Sequence, residues 1–380
     1  MNSRIKITFV INNLSGGGAE RILVNILNNL DRHKFEPRLF LFEYEGDYLK
    51  SLSKDIEIGF SKKCTTSKKS RISIFNSIKK QFNRYTSGSK ELEEFIKEDD
   101  CVVAYLEKMS TYALGKIIRK SNKCSYAWLH TNASDFSTIH KFLSKKYYKY
   151  YKNVFCVSSE CAEIAKKEFS KLSDKIEYIY NPIEIEKIIE KSNENSFYDL
   201  PSGKNIVAIG RLTTQKAFDT LIKAFALIKV SNVNLIILGE GEEREYLEAL
   251  IKENNLEEKV QLPGFVNNPF AILKKSDLFV LSSRIEGLPT VLIEALALNK
   301  KIVSTKCSGS REILNNGEYG YLVEVDDVEE LAEKITSAIL SSNNVNGLMR
   351  AMEFDKSNII KQLENRLSKD LGKEIVNNES

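Results

Sequence analysis

Two series of short apolar runs, each run followed by a stretch with helical spacing, constrain this chain more than any other feature. In the first series Ile5 to Ile11, Arg38 to Phe42, Cys101 to Tyr105, Ser125 to His130, Asn153 to Val157 and Ile176 to Tyr180 read as strands, and Asn181-Pro182 closes it. The second comprises Asn205 to Ile209, Asn234 to Leu238, Val260 to Leu262, Leu278 to Leu281, Ile302 to Ser304 and Tyr321 to Val323. Strands that alternate with helices predict parallel sheets covered on both faces. Between the series, about Glu184 to Lys204 is polar, with Ser192-Asn193-Glu194-Asn195-Ser196 and Pro201-Ser202-Gly203, a linker composition. The expectation is two α/β domains of similar size facing each other across a cleft. The domains span 1–182 and 204–345, joined by a linker at 183–203, and a helical segment at 346–380 is expected to pack back on the first.

A chain of 380 residues with 42% apolar side chains can fill two cores, which excludes a disordered tail. The net charge of +4 is unevenly placed, +11 over residues 1–180 and −7 over the rest. A basic front half suits an anionic surface or substrate. No recognised nucleic-acid motif accompanies that charge, so nucleic acid is not expected as a partner. Cys64, Cys101, Cys124, Cys156, Cys161 and Cys307 form no C-x-x-C pair and read as buried free thiols of a cytoplasmic protein. No apolar run approaches the roughly 18 residues of a membrane span, and the opening segment lacks a cleavage site.

The stretch Arg284-Ile285-Glu286-Gly287-Leu288-Pro289-Thr290-Val291-Leu292-Ile293-Glu294-Ala295 sets two carboxylates eight residues apart around a helix start. Pro289 suits a first helical turn, so Glu286 is expected in the preceding loop and Glu294 inside the helix. Two such carboxylates suit two parts of one extended ligand. The N–H groups of Leu288 and Thr290, with the helix dipole, would face an anion held there.

Loops after other strands add candidates, each with a bland alternative. Ser15-Gly16-Gly17-Gly18-Ala19-Glu20-Arg21 opens the first helix; its glycines allow close backbone approach to a ligand or simply make a turn. It lacks the G-x-G-x-x-G dinucleotide fingerprint. In Gly210-Arg211-Leu212-Thr213-Thr214-Gln215-Lys216-Ala217, Arg211 offers a planar fork and Lys216 a movable charge for a diphosphate; otherwise both are solvated surface. Gly239 and Gly241 suit contact with a flat base or a tight turn, and Pro263-Gly264-Phe265-Val266 could read a base edge or form an ordinary turn. Glu312 is equally a ligand contact or a helix-start residue. His130 ends a strand two residues after Trp128 on the same face, and a lone His is more often structural. There is no Asp-x-Asp, and three scattered histidines make a poor metal site, so no metal is expected. Residues 68–84 and Lys141 to Lys152, the latter with Tyr147, Tyr148, Tyr150 and Tyr151, are basic and amphipathic. They suit an anionic bilayer interface or a solvated face over core residues.

Taken together, Gly-Gly-Gly-Ala-Glu-Arg, Tyr180-Asn181-Pro182-Ile183, Gly-Arg-Leu-x-x-Gln-Lys, Leu-Gly-Glu-Gly and Glu-Gly-Leu-Pro-x-x-x-x-Glu-Ala resemble family 4 of the retaining nucleotide-sugar glycosyltransferases, of GT-B fold. The resemblance is strongest over 204–326, and the opening together with the Ser-x-x-Cys-Ser-Gly-Ser-Arg-Glu-Ile-Leu stretch that starts at Ser304 looks like bacterial capsule, O-antigen (lipopolysaccharide) and related surface-polysaccharide enzymes. It implies two Rossmann-like α/β/α domains and a nucleotide-sugar co-substrate, with no cofactor and no metal. By resemblance Arg211 and Lys216 would hold the donor diphosphate, Glu294 the ribose, and Glu286 with Gly287, Leu288, Pro289 and Thr290 the donor sugar. His130 would meet that sugar from the other domain, Gly17 and Gly18 would lie near the diphosphate or reacting sugar, Gly239 would line the donor site, and Val266 would lie near the base. Two departures stand out: Ala217 occupies a position where Gly is usual, and the Cys307 loop is a residue shorter, which affects the contact at Glu312.

The expected partners are therefore a nucleotide-sugar donor, UDP-linked by frequency in the family, and a glycan or polyprenyl-diphosphate-linked glycan acceptor. An anionic membrane surface and a partner glycosyltransferase subunit are further expectations. Rival readings are a nucleotide-sugar epimerase or phosphorylase of related fold and a non-catalytic partner subunit; intact Glu286, Glu294, Arg211 and Lys216 argue against the last.

Overall fold

The computed structural model describes residues 4–15, 17–61, 89–121, 123–196, 198–342 and 346–372, and the chain divides into two compact units. The first comprises Met1–Pro182 and Ser357–Ser380. Its described strands are β1 (Ile5–Ile11), β2 (Phe35–Leu41), β3 (Glu57–Phe60), β4 (Cys101–Ala104), β5 (Cys124–Leu129), β6 (Asn153–Cys156) and β7 (Ile176–Tyr178). They form one parallel sheet in the order β3-β2-β1-β4-β5-β6-β7. The central strands are apolar and buried because helices cover both sheet faces, as runs such as Cys-Val-Val-Ala in β4 anticipate.

The second unit, Ile183–Lys356, contains β8 (Lys204–Ile209), β9 (Val233–Leu238), β10 (Val260–Gly264), β11 (Leu278–Leu281), β12 (Lys301–Thr305) and β13 (Tyr321–Val323). They too are parallel, in the order β10-β9-β8-β11-β12-β13. Helix Phe218–Ala226 buries Leu221, Ile222 and Phe225 on this sheet. Helix Val328–Leu340 starts where the Asp327 carboxylate accepts from Glu330 N–H at 2.8 Å, an N-cap that satisfies one orphan donor.

Each sheet reverses its winding direction once, between β1 and β4 and between β8 and β11. Ligands of open parallel sheets bind beyond the carboxyl ends of the strands at such a reversal. The Ser15–Arg21 and Gly210–Ala217 loops follow β1 and β8, and the Glu286 loop follows β11, so three of the loops singled out above stand at reversals.

Three features differ from the sequence reading. Residues 183–203 are not plain linker: helix Ile185–Ser192 buries Ile185 and Ile188 within the second unit, and the Ile183 N–H donates to Phe354 O at 3.0 Å. Residues 346–356 also belong to that unit. The first unit gains only the chain beyond, where helix Lys356–Asp370 buries Ile359, Ile360, Leu363 and Leu367. Glu364 Oε1 accepts from the Asp31 N–H at 2.7 Å, and the Tyr126 hydroxyl donates to Asp370 at 2.6 Å. Edge strand β3 had no sequence signal, since Glu57 and Phe60 are exposed.

Candidate active site

In the second unit, the loops after β8 and β11 are joined by side chains. Lys216, at the end of the 3-10 turn Thr214–Lys216, donates from Nζ to Glu286 Oε1 at 2.5 Å, and the Ser283 hydroxyl donates to the same oxygen at 2.7 Å. Both partners are largely shielded, the Lys216 side chain being 19% and that of Glu286 12% exposed, so their attraction is screened less than at a free surface. The Ser282 hydroxyl binds Lys216 O at 2.8 Å, fixing the backbone that carries the ammonium group. Arg211, one residue past Gly210, is exposed and makes no hydrogen bond or ion pair among the described residues.

Arg284 ties the loops together from behind. Its Nη1 donates to Thr214 O at 2.5 Å, its Nε to Asp326 Oδ1 at 2.8 Å and its Nη2 to Asp219 at 3.2 Å, while Gln215 Nε2 returns a bond to Ile285 O at 2.6 Å. The sequence reading missed Arg284, Gln215, Ser283 and Asp326. Only the position of Arg284 two residues before Glu286 could have suggested a role.

Glu286 lies in the loop and Glu294 within helix Thr290–Ala297, as expected; Glu294 is 3% exposed and already engaged inside the protein. Pro289 sits at the N-cap, one residue before the first turn where it was expected. The N–H groups of Leu288 and Thr290 have no acceptor among the described residues, leaving them for an anion. Gly309, at φ +78°, presses on this loop: a Cβ there would lie 2.9 Å from Gly287 O. The Cys307 turn is therefore packed directly against Gly287, Leu288 and Pro289. Burial, and next the Glu286 carboxylate, push the Cys307 thiol up to about 12, so it stays protonated. Arg350 holds the carbonyls of Glu312 and Ile313, fixing the backbone at Glu312.

The glycines after β9 have a packing reason. A Cβ on Gly239 would lie 1.8 Å from Gly210 O, and one on Gly241 would lie 2.1 Å from Leu212 O. The tight-turn alternative thus accounts for Gly239 and Gly241 without a ligand. Val266 is half-buried just past β10, beside Phe265, which is 75% exposed.

In the first unit, the ends of β1, β4 and β5 gather polar groups. The His130 ring lies 4.6 Å from that of Tyr105, tilted by 55°, and stacks 6.2 Å from Trp128, with which it shares a face two residues along. Burial lowers the His130 pKa to about 4, so its imidazole is neutral, and its Nε2 has no hydrogen-bond partner among the described residues. The Tyr105 hydroxyl, Trp128 Nε1 and Asn12 Oδ1 are likewise buried without hydrogen-bond partners among the described residues. Unpaired buried polar atoms are costly, and several gathered toward the carboxyl ends of neighbouring central strands are consistent with a hydroxyl-bearing ligand. Glu107, also missed from sequence, accepts from His130 N at 3.2 Å and from Thr131 Oγ1 at 2.8 Å, fixing the backbone on which His130 rides. Gly17 is the N-cap of helix Gly18–Asn29, where a Cβ would strike Glu20; Gly18 has open space around its α-carbon, and Gly16 lies outside the described residues.

Among the described residues no group of three or more His, Cys, Asp and Glu side chains could hold a metal, and no helix is long and apolar enough to cross a membrane.

Two parallel-sheet units, each with its strand-end loops gathered at a winding reversal, define a doubly wound α/β class of ligand-binding protein. The sequence model of "Glycosyl transferases group 1" matches residues 190–352. An enzyme of Campylobacter jejuni, named N-acetylgalactosamine-N,N'-diacetylbacillosaminyl-diphospho-undecaprenol 4-alpha-N-acetylgalactosaminyltransferase, is 32% identical over 88% of this chain and 90% of its own. An uncharacterised glycosyltransferase of Methanocaldococcus jannaschii is 34% identical over 66% of this chain and 73% of its own. The chain belongs to the group 1 glycosyl transferases. Among solved structures, Anabaena HepE in complex with UDP superposes with a TM-score of 0.77 at 20% identity, covering 96% of this chain and all of that one. Sucrose-phosphate synthase of Thermosynechococcus elongatus gives 0.78 at 16% identity, covering 97% and 99%. These likenesses establish the GT-B fold.

Proposed function

We propose that the protein is a retaining hexosyltransferase that moves a sugar from a UDP-sugar to a glycan or polyprenyl-diphosphate-linked glycan during surface-polysaccharide synthesis, at the anionic cytoplasmic face of a membrane. The observation that carries this reading is the shielded Lys216–Glu286 pair beside the unpartnered Arg211, at the β8/β11 reversal. The chemical difficulty in such a transfer is the negative charge that grows on the leaving diphosphate. Arg211, Lys216 and the free N–H groups at Leu288 and Thr290 would neutralise it, preorganised and without a metal. Glu286, already bound by Lys216 and Ser283, would orient sugar hydroxyls, and Glu294 the ribose. On this reading the acceptor attacks the donor's front face while the leaving phosphate takes its proton. Neutral His130, lacking a partner at Nε2, would contact a sugar hydroxyl.

The lipid-linked acceptor is suggested by the Campylobacter relative, whose name specifies a diphospho-undecaprenol substrate, and the UDP donor by the HepE complex. The test is thermal-shift binding of UDP, GDP, ADP, CDP and their sugar conjugates with and without EDTA, followed by mass spectrometry of products. Stabilisation by one nucleotide sugar that survives EDTA and is lost in Arg211→Ala and Glu294→Ala is expected. Stabilisation by none would overturn the donor assignment, and donor turnover without acceptor would favour an epimerase.

A further inference from the structure

Helix Thr138–Tyr148 of the first unit has two unlike faces. Ser144, Tyr147 and Tyr148 point into the core, and Tyr151 beyond it is also buried, its hydroxyl bound to Thr111 O at 2.6 Å. The tyrosines that made this segment look interfacial in sequence are therefore mostly core, whereas residues 68–84 lie outside the described residues. The outward stripe is different. Ile139 is 61% and Phe142 67% exposed, and at about 100° per residue they share a face with Lys146 and Lys149.

Lys141, next to Phe142, is paired with Glu168 at 3.0 Å, but the other cations along this face leave an excess of positive charge. Lys145, Lys146, Lys149 and the neighbouring Arg119 are exposed, and none makes an ion pair among the described residues. Lys116 on the adjoining helix Met109–Ile118 has its pKa lowered by burial and then by Lys146 and Arg119, which marks these cations as close neighbours. Exposed Ile and Phe beside uncompensated lysines are a poor protein interface, since lysine is depleted in such contacts. They match the boundary of an anionic bilayer, where apolar side chains enter beneath the headgroups while lysines stay at the phosphates.

We propose that helix Thr138–Tyr148 rests on anionic lipid, with Ile139 and Phe142 entering the headgroup boundary and Lys146, Lys149 and Arg119 on the headgroup phosphates. This rests on the membrane location proposed above and names the surface responsible. The test is co-sedimentation of the full chain with phosphatidylcholine vesicles containing or lacking phosphatidylglycerol, across a salt series. The chain is expected to bind the anionic vesicles, more weakly as salt rises. Lys146→Glu with Lys149→Glu should weaken partitioning at least about 10-fold, and Phe142→Ser about 5-fold, from the usual strength of each contact. Melting temperatures should not move, because all three side chains are exposed. Failure of the wild-type chain to bind, or equal binding by the variants, would overturn the proposal. Sensitivity to the lysines but not to Phe142 would overturn the insertion it asserts. None of these readouts requires turnover, so a failed donor assignment and a failed membrane surface are separately visible.

Discussion

Lys216 and Glu286 come from loops seventy residues apart in sequence, yet the ammonium group meets the carboxylate at 2.5 Å. The pair spans the β8/β11 reversal, so each charge holds the other where a ligand would arrive. Removing one partner has two effects: it deletes a ligand contact and leaves the other charge shielded and uncompensated. Lys216→Ala and Glu286→Ala are each expected to reduce kcat on the order of 100-fold to 1000-fold, and the double variant should fall little further. Strictly additive losses in steady-state kinetics would contradict a joint role.

Arg211 offers the opposite case. It has no hydrogen-bond or ion-pair partner among the described residues, so Arg211→Ala should leave the melting temperature unchanged while turnover falls roughly 100-fold to 1000-fold. Near-normal turnover would remove Arg211 from the site.

Arg284 touches no expected ligand position but holds Thr214, Asp219 and Asp326 at once. Arg284→Ala should cost about 2 kcal/mol of stability, because charged hydrogen bonds are lost together, and should slow turnover about 10-fold to 100-fold through misplacement of Glu286. Arg284→Lys should recover part of the stability but less of the rate, since an ammonium cannot reproduce the fork. Paired melting curves and donor kinetics would separate the two effects.

His130 makes stability depend on pH. Its folded pKa, lowered to about 4, lies below the unfolded value near 6.5, so the unfolded chain binds more protons between these limits. Its contribution is complete above about pH 6.5 and declines as pH falls toward 4, by at most about 3 kcal/mol. Urea unfolding at pH 7.5, 5.5 and 4 should show a steeper loss for wild type than for His130→Gln. Parallel pH profiles would contradict the burial of a neutral imidazole.

Ala217 sits fully buried at φ +49°, ψ +42°, a left-handed conformation that glycine adopts without strain. Relief of about 1–2 kcal/mol of strain in Ala217→Gly is offset by a lost buried methyl group and a more flexible unfolded chain. Stability should therefore change by less than about 0.5 kcal/mol. Ala217→Val should cost about 2 kcal/mol or more, because a branched side chain is poorly accommodated in that conformation. Chemical denaturation of both variants checks the sign of each term.

Much of this architecture was legible because parallel strands buried on both faces are written as unbroken apolar runs: β1, β11 and β13 have the same limits in sequence and structure. Strand β3 escaped because an edge strand needs no apolar run. Its Gly59 is placed by Phe95, whose ring would lie 2.6 Å from a Cβ there, and that neighbour is distant in sequence. Helix Ile185–Ser192 escaped because its Lys and Glu residues mask two buried isoleucines. In the site, Arg211, Lys216, Glu286 and Glu294 were visible because their motifs are local. Arg284 and Asp326 were not, because their pairing spans 42 residues and exists only once β11 and β13 lie in one sheet. Glu107 was hidden for the same reason, as it acts on a strand 23 residues further along.

The contact between Gly239 and Gly210 O has a practical consequence for anyone changing donor preference. The two loops are interlocked by backbone, so substituting Gly239 would force them apart next to Arg211, whereas a Cβ on Gly210 would press at 3.2 Å on the Lys216 side chain. Variation is better directed at side chains that leave the interlock intact, such as the exposed Phe265 and half-buried Val266. A library built there would test whether these two side chains take part in donor recognition.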